Sequence, residues 1–100
     1  MGEVEVGEYL VEWDDEKAEK NFKKHKIYFE DAARIFLDDN RIEYYDEFNS
    51  VFEDRFRVIG IVDEVLFVVY TEREDRYRLI SARQADKSEE GEYYGQYSYL

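Results

Sequence analysis

The chain has no cysteine and no proline, and a single histidine. Without cysteine there are no disulfides, no thiolate metal sites and no cysteine nucleophile. One histidine, His25, leaves no His-rich metal site, so neither a metal nor a cofactor is expected. Long apolar runs are also missing. The longest, Val65–Tyr70, is far short of the about 20 residues that span a bilayer. The first residues, Met1-Gly2-Glu3-Val4-Glu5-Val6-Gly7-Glu8, have neither the basic start nor the apolar stretch of a signal peptide. A cytoplasmic protein with no membrane contact is the expectation. Bases are few, 14 Lys and Arg against 26 Asp and Glu, for a net charge of −12. Nonspecific nucleic-acid binding needs clustered cations, so the average composition argues against it. Aromatics, by contrast, make up 18% of the chain, unlike disordered acidic sequences. A chain of 100 residues fits one domain, 1–100, able to bury roughly two thirds of its unfolded surface. Residues 1–7 and 95–100 are expected to be flexible.

The charge is patterned. Residues 1–16 hold seven acids and no base, whereas 17–26 hold five lysines and one acid. Residues 55–83 carry six arginines against five acids. Eleven of the 14 bases thus sit in two segments, and a fold that joined them would make a cationic site on an acidic body. The plainer alternative is that helix lysines and strand arginines are solvated surface.

Tyr9–Trp13 reads as a short strand. Asp14-Asp15-Glu16 then supplies a helix N-cap and acids for the positive end of the helix dipole. That helix runs to Lys24 or His25, with Ala18, Phe22 and His25 on one stripe and Lys17, Asn21 and Lys24 on the next. Trp13 and Phe22 are expected in the core. His25–Tyr28 links it tightly to a second helix burying Phe29, Ala32, Ala33, Phe36 and Leu37, a helix hairpin. From residue 40 the period becomes two. Arg41–Glu47, Arg55–Val62, Val65–Thr71 and Arg76–Ala82 read as strands, the last three joined by short turns as an antiparallel meander. In Arg55–Val62, Phe56, Val58 and Val62 share one side and Arg57, Ile59 and Ile61 the other. A final helix begins at Asp86, with Glu89 completing a capping box, and ends near Gly95. Helices segregated from a meander make the class α+β.

Trp13-Asp14, Lys17, Asn21, Lys24-His25, Ile27, Phe29-Glu30 and Ala32 resemble the opening signature of the BrnT family. The resemblance continues at Asp54-Arg55-Phe56 with Ile59-Gly60. It is strongest at Val68–Arg73 and Arg76–Ala85, so that three blocks occur in order over roughly residues 10–94. It implies a RelE-like fold, a twisted antiparallel sheet with a helix hairpin and a C-terminal helix. It also implies a bacterial ribonuclease toxin of a type II toxin–antitoxin pair, which cleaves RNA and inhibits translation. The expected partner is a BrnA-like antitoxin with a ribbon-helix-helix domain. Operator DNA would be bound only indirectly, through that antitoxin in a hetero-oligomer.

Metal-free RNA cleavage needs help in deprotonating the 2′-hydroxyl, cations on the pentavalent phosphorane and a proton for the leaving 5′-oxygen. Arginine suits the phosphorane because its planar fork grips two oxygens. Arg73, Arg78 and Arg83 fall in the matching block, and His25 titrates near neutrality. With Lys24 they form the expected catalytic set, while Lys17, Arg76 and Tyr77 are expected to bind RNA. Each has a plainer role. His25 can face a helix-dipole end, Lys17 and Lys24 can pair with acids, and the arginines can be solvated. Two departures stand out. Tyr28 replaces the Ser or Asp that usually caps the second helix in the family. Ser88–Tyr94 is acidic where the family's last helix is rich in Arg and Lys. That reversal supports an alternative function, a catalytically weak acidic binding protein acting as inhibitor, charge mimic or corepressor.

Overall fold

A computed structural model describes residues 1–96. In chain order the elements are β1 (Gly2–Val6), β2 (Tyr9–Trp13), α1 (Asp15–His25) and α2 (Phe29–Ala32), which continues as a 3-10 helix over Ala33–Leu37. Then come β3 (Ile42–Tyr45), a 3-10 turn at Glu47–Asn49, β4 (Arg55–Val62), β5 (Glu64–Arg73), β6 (Arg76–Gln84) and α3 (Lys87–Gly95). Six strands form one sheet in the order β1-β2-β6-β5-β4-β3. The class is α+β, as expected. No helix among the described residues is long and apolar enough to cross a membrane.

The meander β4-β5-β6 follows the sequence alternation, and β3 adds to it antiparallel. The pairing of β2 with β6 is parallel, so the sheet is mixed. Residues 2–6 do not fray as expected. Val4 and Val6 alternate with Glu3 and Glu5, and the turn at Gly7 (φ 60°) folds the segment back as β1 along β2.

The Asp14 side chain accepts from the Lys17 N–H at 3.0 Å, capping α1. Lys23, Lys24 and His25 occupy its last turn, where cations meet the negative dipole end. Tyr28 supplies no side-chain cap to α2, as its residue type implies. Its ring stacks on Phe22 at 4.2 Å instead, and Phe22 is half-buried beside it, not a core residue. The second helix departs from its expected form. After one α-turn it tightens to a 3-10 helix, whose period of three turns Ile35 inward and leaves Leu37 exposed. It lies close on β4 because Gly60 has no side chain; a Cβ there would sit 2.6 Å from Ile35 Cγ1.

The larger core lies between these helices and one face of the sheet. It holds Val11, Trp13, Phe29, Ile35, Phe36, Val58, Val68, Tyr70, Leu79 and Ala82. A smaller cluster of Ile59, Val65 and Tyr93 lies on the opposite face under α3. Asp86 and Glu89 form the expected capping box of α3. The expected flexibility of the tail falls, beyond Gln96, outside the described residues.

Candidate functional site

Residues opposed on neighbouring strands project from the same face of a sheet, so the register sorts the arginines. One line across the sheet runs Arg55, Thr71, Arg78, Glu12, Glu3. The next runs Tyr44, Arg57, Val69, Ser81, and a third runs Ile42, Ile59, Phe67, Arg83. Arg73 opposes Arg76 at the hairpin end. Six arginines therefore share the face that α1 and α2 leave uncovered. Arg78 and Arg83 are five positions apart, and strict alternation would put them on opposite faces. They share one because the register shifts between Val69 and Tyr70, leaving Ile80 as an extra residue on β6.

Carboxylates thread through these arginines. Glu12, buried at 5% exposure, accepts from Arg78 Nε at 2.8 Å and lies 3.5 Å from Arg76 Nη1. Arg76 also reaches Glu3 at 3.1 Å, and Arg73 reaches Glu53 at 3.3 Å. Arg83 grips both oxygens of Glu89, at 2.7 and 2.9 Å, with its guanidinium 4.1 Å from the Phe67 ring centre. The hydrogen bonds from Arg83 hold the Glu89 carboxyl below its ordinary range, and the Asp86 N–H adds to the effect.

Helix α1 reaches this face at its edge. Strand β2 ends its pairing with β6 at Trp13–Leu79, which leaves the next backbone groups of β6 without a strand. The buried Asn21 side chain takes that strand's place. Its Nδ2 donates to the Ala82 carbonyl at 2.9 Å and its Oδ1 accepts from the Ala82 N–H at 3.0 Å. This clamp sits between Ser81 and Arg83. Beside it Lys17, Lys20, Lys24, His25, Ile80 and Ser81 line a groove of about 290 Å³. Burial lowers the His25 pKa below its usual 6.5, and the charges of Lys24 and Arg83 lower it further. The imidazole is therefore neutral at neutral pH, the form that can take up a proton.

The expected residues thus divide. Lys17, Lys24 and His25 share the edge groove; Arg83 is close enough for its charge to act on His25, and Arg78 lies on the same sheet face. Arg73 and Arg76 are at the far end of the hairpin, in a separate groove of about 490 Å³ with Glu12, Glu53, Glu72 and Glu74. Tyr77 is placed apart from the others. It projects from the helix-covered face, stacked on Phe36 at 4.8 Å and packed against Tyr9 and Tyr70, and reaches the surface only at the hairpin end, in a groove it shares with Arg76. Burial, with Glu72 and Glu43 nearby, raises its pKa and weakens it as an acid. The sequence does not pick out Glu12, and it presents Glu89, Arg55 and Asn21 as a helix cap and as parts of the family resemblance without a place in the site. Arg55 and Arg57 were open to discovery, since the alternation in β4 sets both against Phe56 and Val58.

A family model described as the ribonuclease toxin BrnT of a type II toxin–antitoxin system matches residues 13–89. The chain belongs to the BrnT family. The crystal structure of the Brucella abortus ribonuclease toxin BrnT shares the fold, with a TM-score of 0.63 at 22% identity over 77% of this chain and 96% of that one. No curated protein matches. The matched residues include Arg78, Arg83 and the whole of α1. As a BrnT-family ribonuclease toxin of a type II system, the chain has an antitoxin as its implied partner.

Proposed function

We propose that this BrnT-family chain, folded as one domain, is a metal-independent endoribonuclease that arrests translation and is neutralised by a BrnA-like ribbon-helix-helix antitoxin. The support is the meeting at one sheet edge of His25 and Lys24 with Arg83, on the face shared with Arg78. Neutral His25 takes the proton of the RNA 2′-hydroxyl, whose oxygen attacks the adjacent phosphorus. Arg78 and Arg83 hold the charge that grows on the phosphorane oxygens. As the phosphorus–5′-oxygen bond breaks, Lys24 offsets the charge on the departing oxygen, which takes its proton from solvent water, and the product is a 2′,3′-cyclic phosphate. Lys17 holds the RNA strand along α1, and Arg73 and Arg76, each paired with glutamates at the far end of the hairpin, contact RNA beyond the reacting phosphate.

Purified protein is expected to cut RNA in the presence of EDTA and to stop growth when induced without its antitoxin. Arg78→Ala or Arg83→Ala restores growth while the protein stays folded. A wild type that expresses harmlessly and leaves RNA intact ends this reading. One observation favours a catalytically weak corepressor or inhibitor instead: Glu12 and Glu89 already occupy Arg78 and Arg83. The same assay separates the two, because that protein binds its antitoxin without cutting RNA.

A further inference from the structure

Of the six arginines on the open face, five hold a carboxylate within 4.0 Å: Arg55 and Arg73 at Glu53, Arg76 and Arg78 at Glu12, and Arg83 at Glu89. Arg57 differs. Among the described residues no carboxylate lies within that distance of it. Its Nε is sealed from solvent with no acceptor, and its guanidinium lies over the Tyr44 ring, 5.7 Å from the centroid. Its charge contributes to lowering the pKa of Glu89, but both oxygens of that carboxylate are taken by Arg83. A cation over a ring face is held by the ring's electrons without giving up its hydrogen-bond donors, so the guanidinium keeps N–H groups for phosphate oxygens.

This difference decides where an anion gains most. A phosphate that reaches Arg83 must displace Glu89 from both Nη groups, and one that reaches Arg78 shares the guanidinium with Glu12 on its Nε. At Arg57 part of the guanidinium is already dehydrated and no anion has to leave, so a new ion pair is formed outright. Arg57 as a whole is half-buried, but a sealed donor without an acceptor is unfavourable and calls for an explanation. Position supplies one. The line Tyr44-Arg57-Val69-Ser81 lies between the line that carries Arg78 and the line that carries Arg83. It ends at Ser81, on the wall of the lysine–histidine groove. With strands about 4.8 Å apart, Arg57 and Ser81 are separated by about 10 Å of sheet.

We infer that Arg57 is the phosphate anchor of the RNA site: it holds a backbone phosphate over β4, one strand in from the β3 edge, so that the RNA strand crosses β5 and β6 toward His25. Arg55, two positions earlier on the same face and also with an Nε lacking an acceptor, flanks that phosphate. This rests on the ribonuclease reading above and adds to it a binding position and a direction for the substrate.

The test uses the full chain and a 2′-O-methylated single-stranded RNA, which binds but cannot be cut, titrated by fluorescence anisotropy at several KCl concentrations. Arg57→Met keeps the side-chain bulk over Tyr44 and removes the charge. It is expected to weaken binding about tenfold or more and to make the slope of log K against log salt shallower by about 0.7. Arg57→Lys keeps the charge but not the fork, so its slope stays like wild type while affinity falls severalfold. Arg34→Ala, an exposed arginine paired with Asp31 and Asp63 away from this face, changes neither. With cleavable RNA, Arg57→Met raises KM and leaves kcat within a few-fold. If wild type binds and cuts RNA while both Arg57 variants keep its affinity and slope, the anchor is wrong and the ribonuclease reading survives. If wild type neither binds nor cuts, the ribonuclease reading falls and takes the anchor with it.

Discussion

The two faces of the sheet are made by the same strands and treat neighbouring residues in opposite ways. On the helix-covered face Val58, Val68, Tyr70, Leu79 and Ala82 are all buried, with Phe36 packed edge-on to Tyr70 and stacked on Tyr77. On the other face Arg55, Arg57, Arg78 and Arg83 stand among Thr71, Val69 and Ser81. One step along β4 separates a residue that holds the fold from one that meets an anion. Outside the Ile59–Val65–Tyr93 cluster under α3, stability and chemistry are thus divided by strand parity, and substitutions at the partly exposed arginines should spare the packing of the helix-covered face.

The largest effect expected on that division is on the packed face. Phe36→Ala removes a ring that is 2% exposed and in contact with Tyr9, Tyr70 and Tyr77, and should cost about 3–5 kcal/mol in denaturant unfolding. Arg83→Ala should do the reverse. Ribonuclease activity falls about 100-fold, the effect of losing one preorganised donor, while the unfolding midpoint moves little because the Arg83–Glu89 pair is partly exposed. A large loss of stability in this variant would break the parity argument. Asn21→Ala tests the seam between the faces. It leaves the Ala82 N–H and C=O without partners, for a destabilisation of about 1–3 kcal/mol, and loosens His25 from Arg83.

The smallest effect is on proton affinity, and the single histidine makes it clean to read by NMR. The folded pKa of His25 lies below 6.5, so the unfolded chain takes up this proton first as pH falls. Its contribution to stability is therefore complete above 6.5 and declines as pH drops through the interval between the folded and unfolded values. Activity that needs neutral imidazole should likewise fall only below pH 6.5. Arg83→Ala removes one of the charges that depress the pKa and should move the titration upward, toward 6.5. A midpoint that does not move would place His25 and Arg83 outside each other's field.

Much of this was legible in the sequence, and the failures have a common cause. β4, the meander and the Asp86–Glu89 cap of α3 follow from local alternation and capping, which a short window contains. The pairing of β1 with β2 was within reach too, since Val4 and Val6 alternate with acids, but the acids read as a solvated lead. The parallel pairing of β2 with β6 leaves no local trace. Nor do the Glu12–Arg78 bond, formed across 66 positions, and the Asn21 clamp across 61. The bulge at Ile80 matters most for the site. Counting by twos from Arg78 sends Arg83 to the wrong face, so their union depends on one residue that no pattern announced. The placement of Tyr77 is the opposite case: strand parity alone sets it on the other face from Arg76 and Arg78, and a count by twos along β6 contains it.

The outermost strands carry their own protection. Among the described residues β1 and β3 each have a neighbouring strand on one side only, which leaves backbone donors and acceptors open to another strand. Exposed Glu3 and Glu5 stud the first and exposed Glu43 the last. Two copies meeting rim to rim would crowd carboxylate upon carboxylate, so growth into fibres is discouraged even in concentrated solution. A lysine-rich visitor would meet no such barrier.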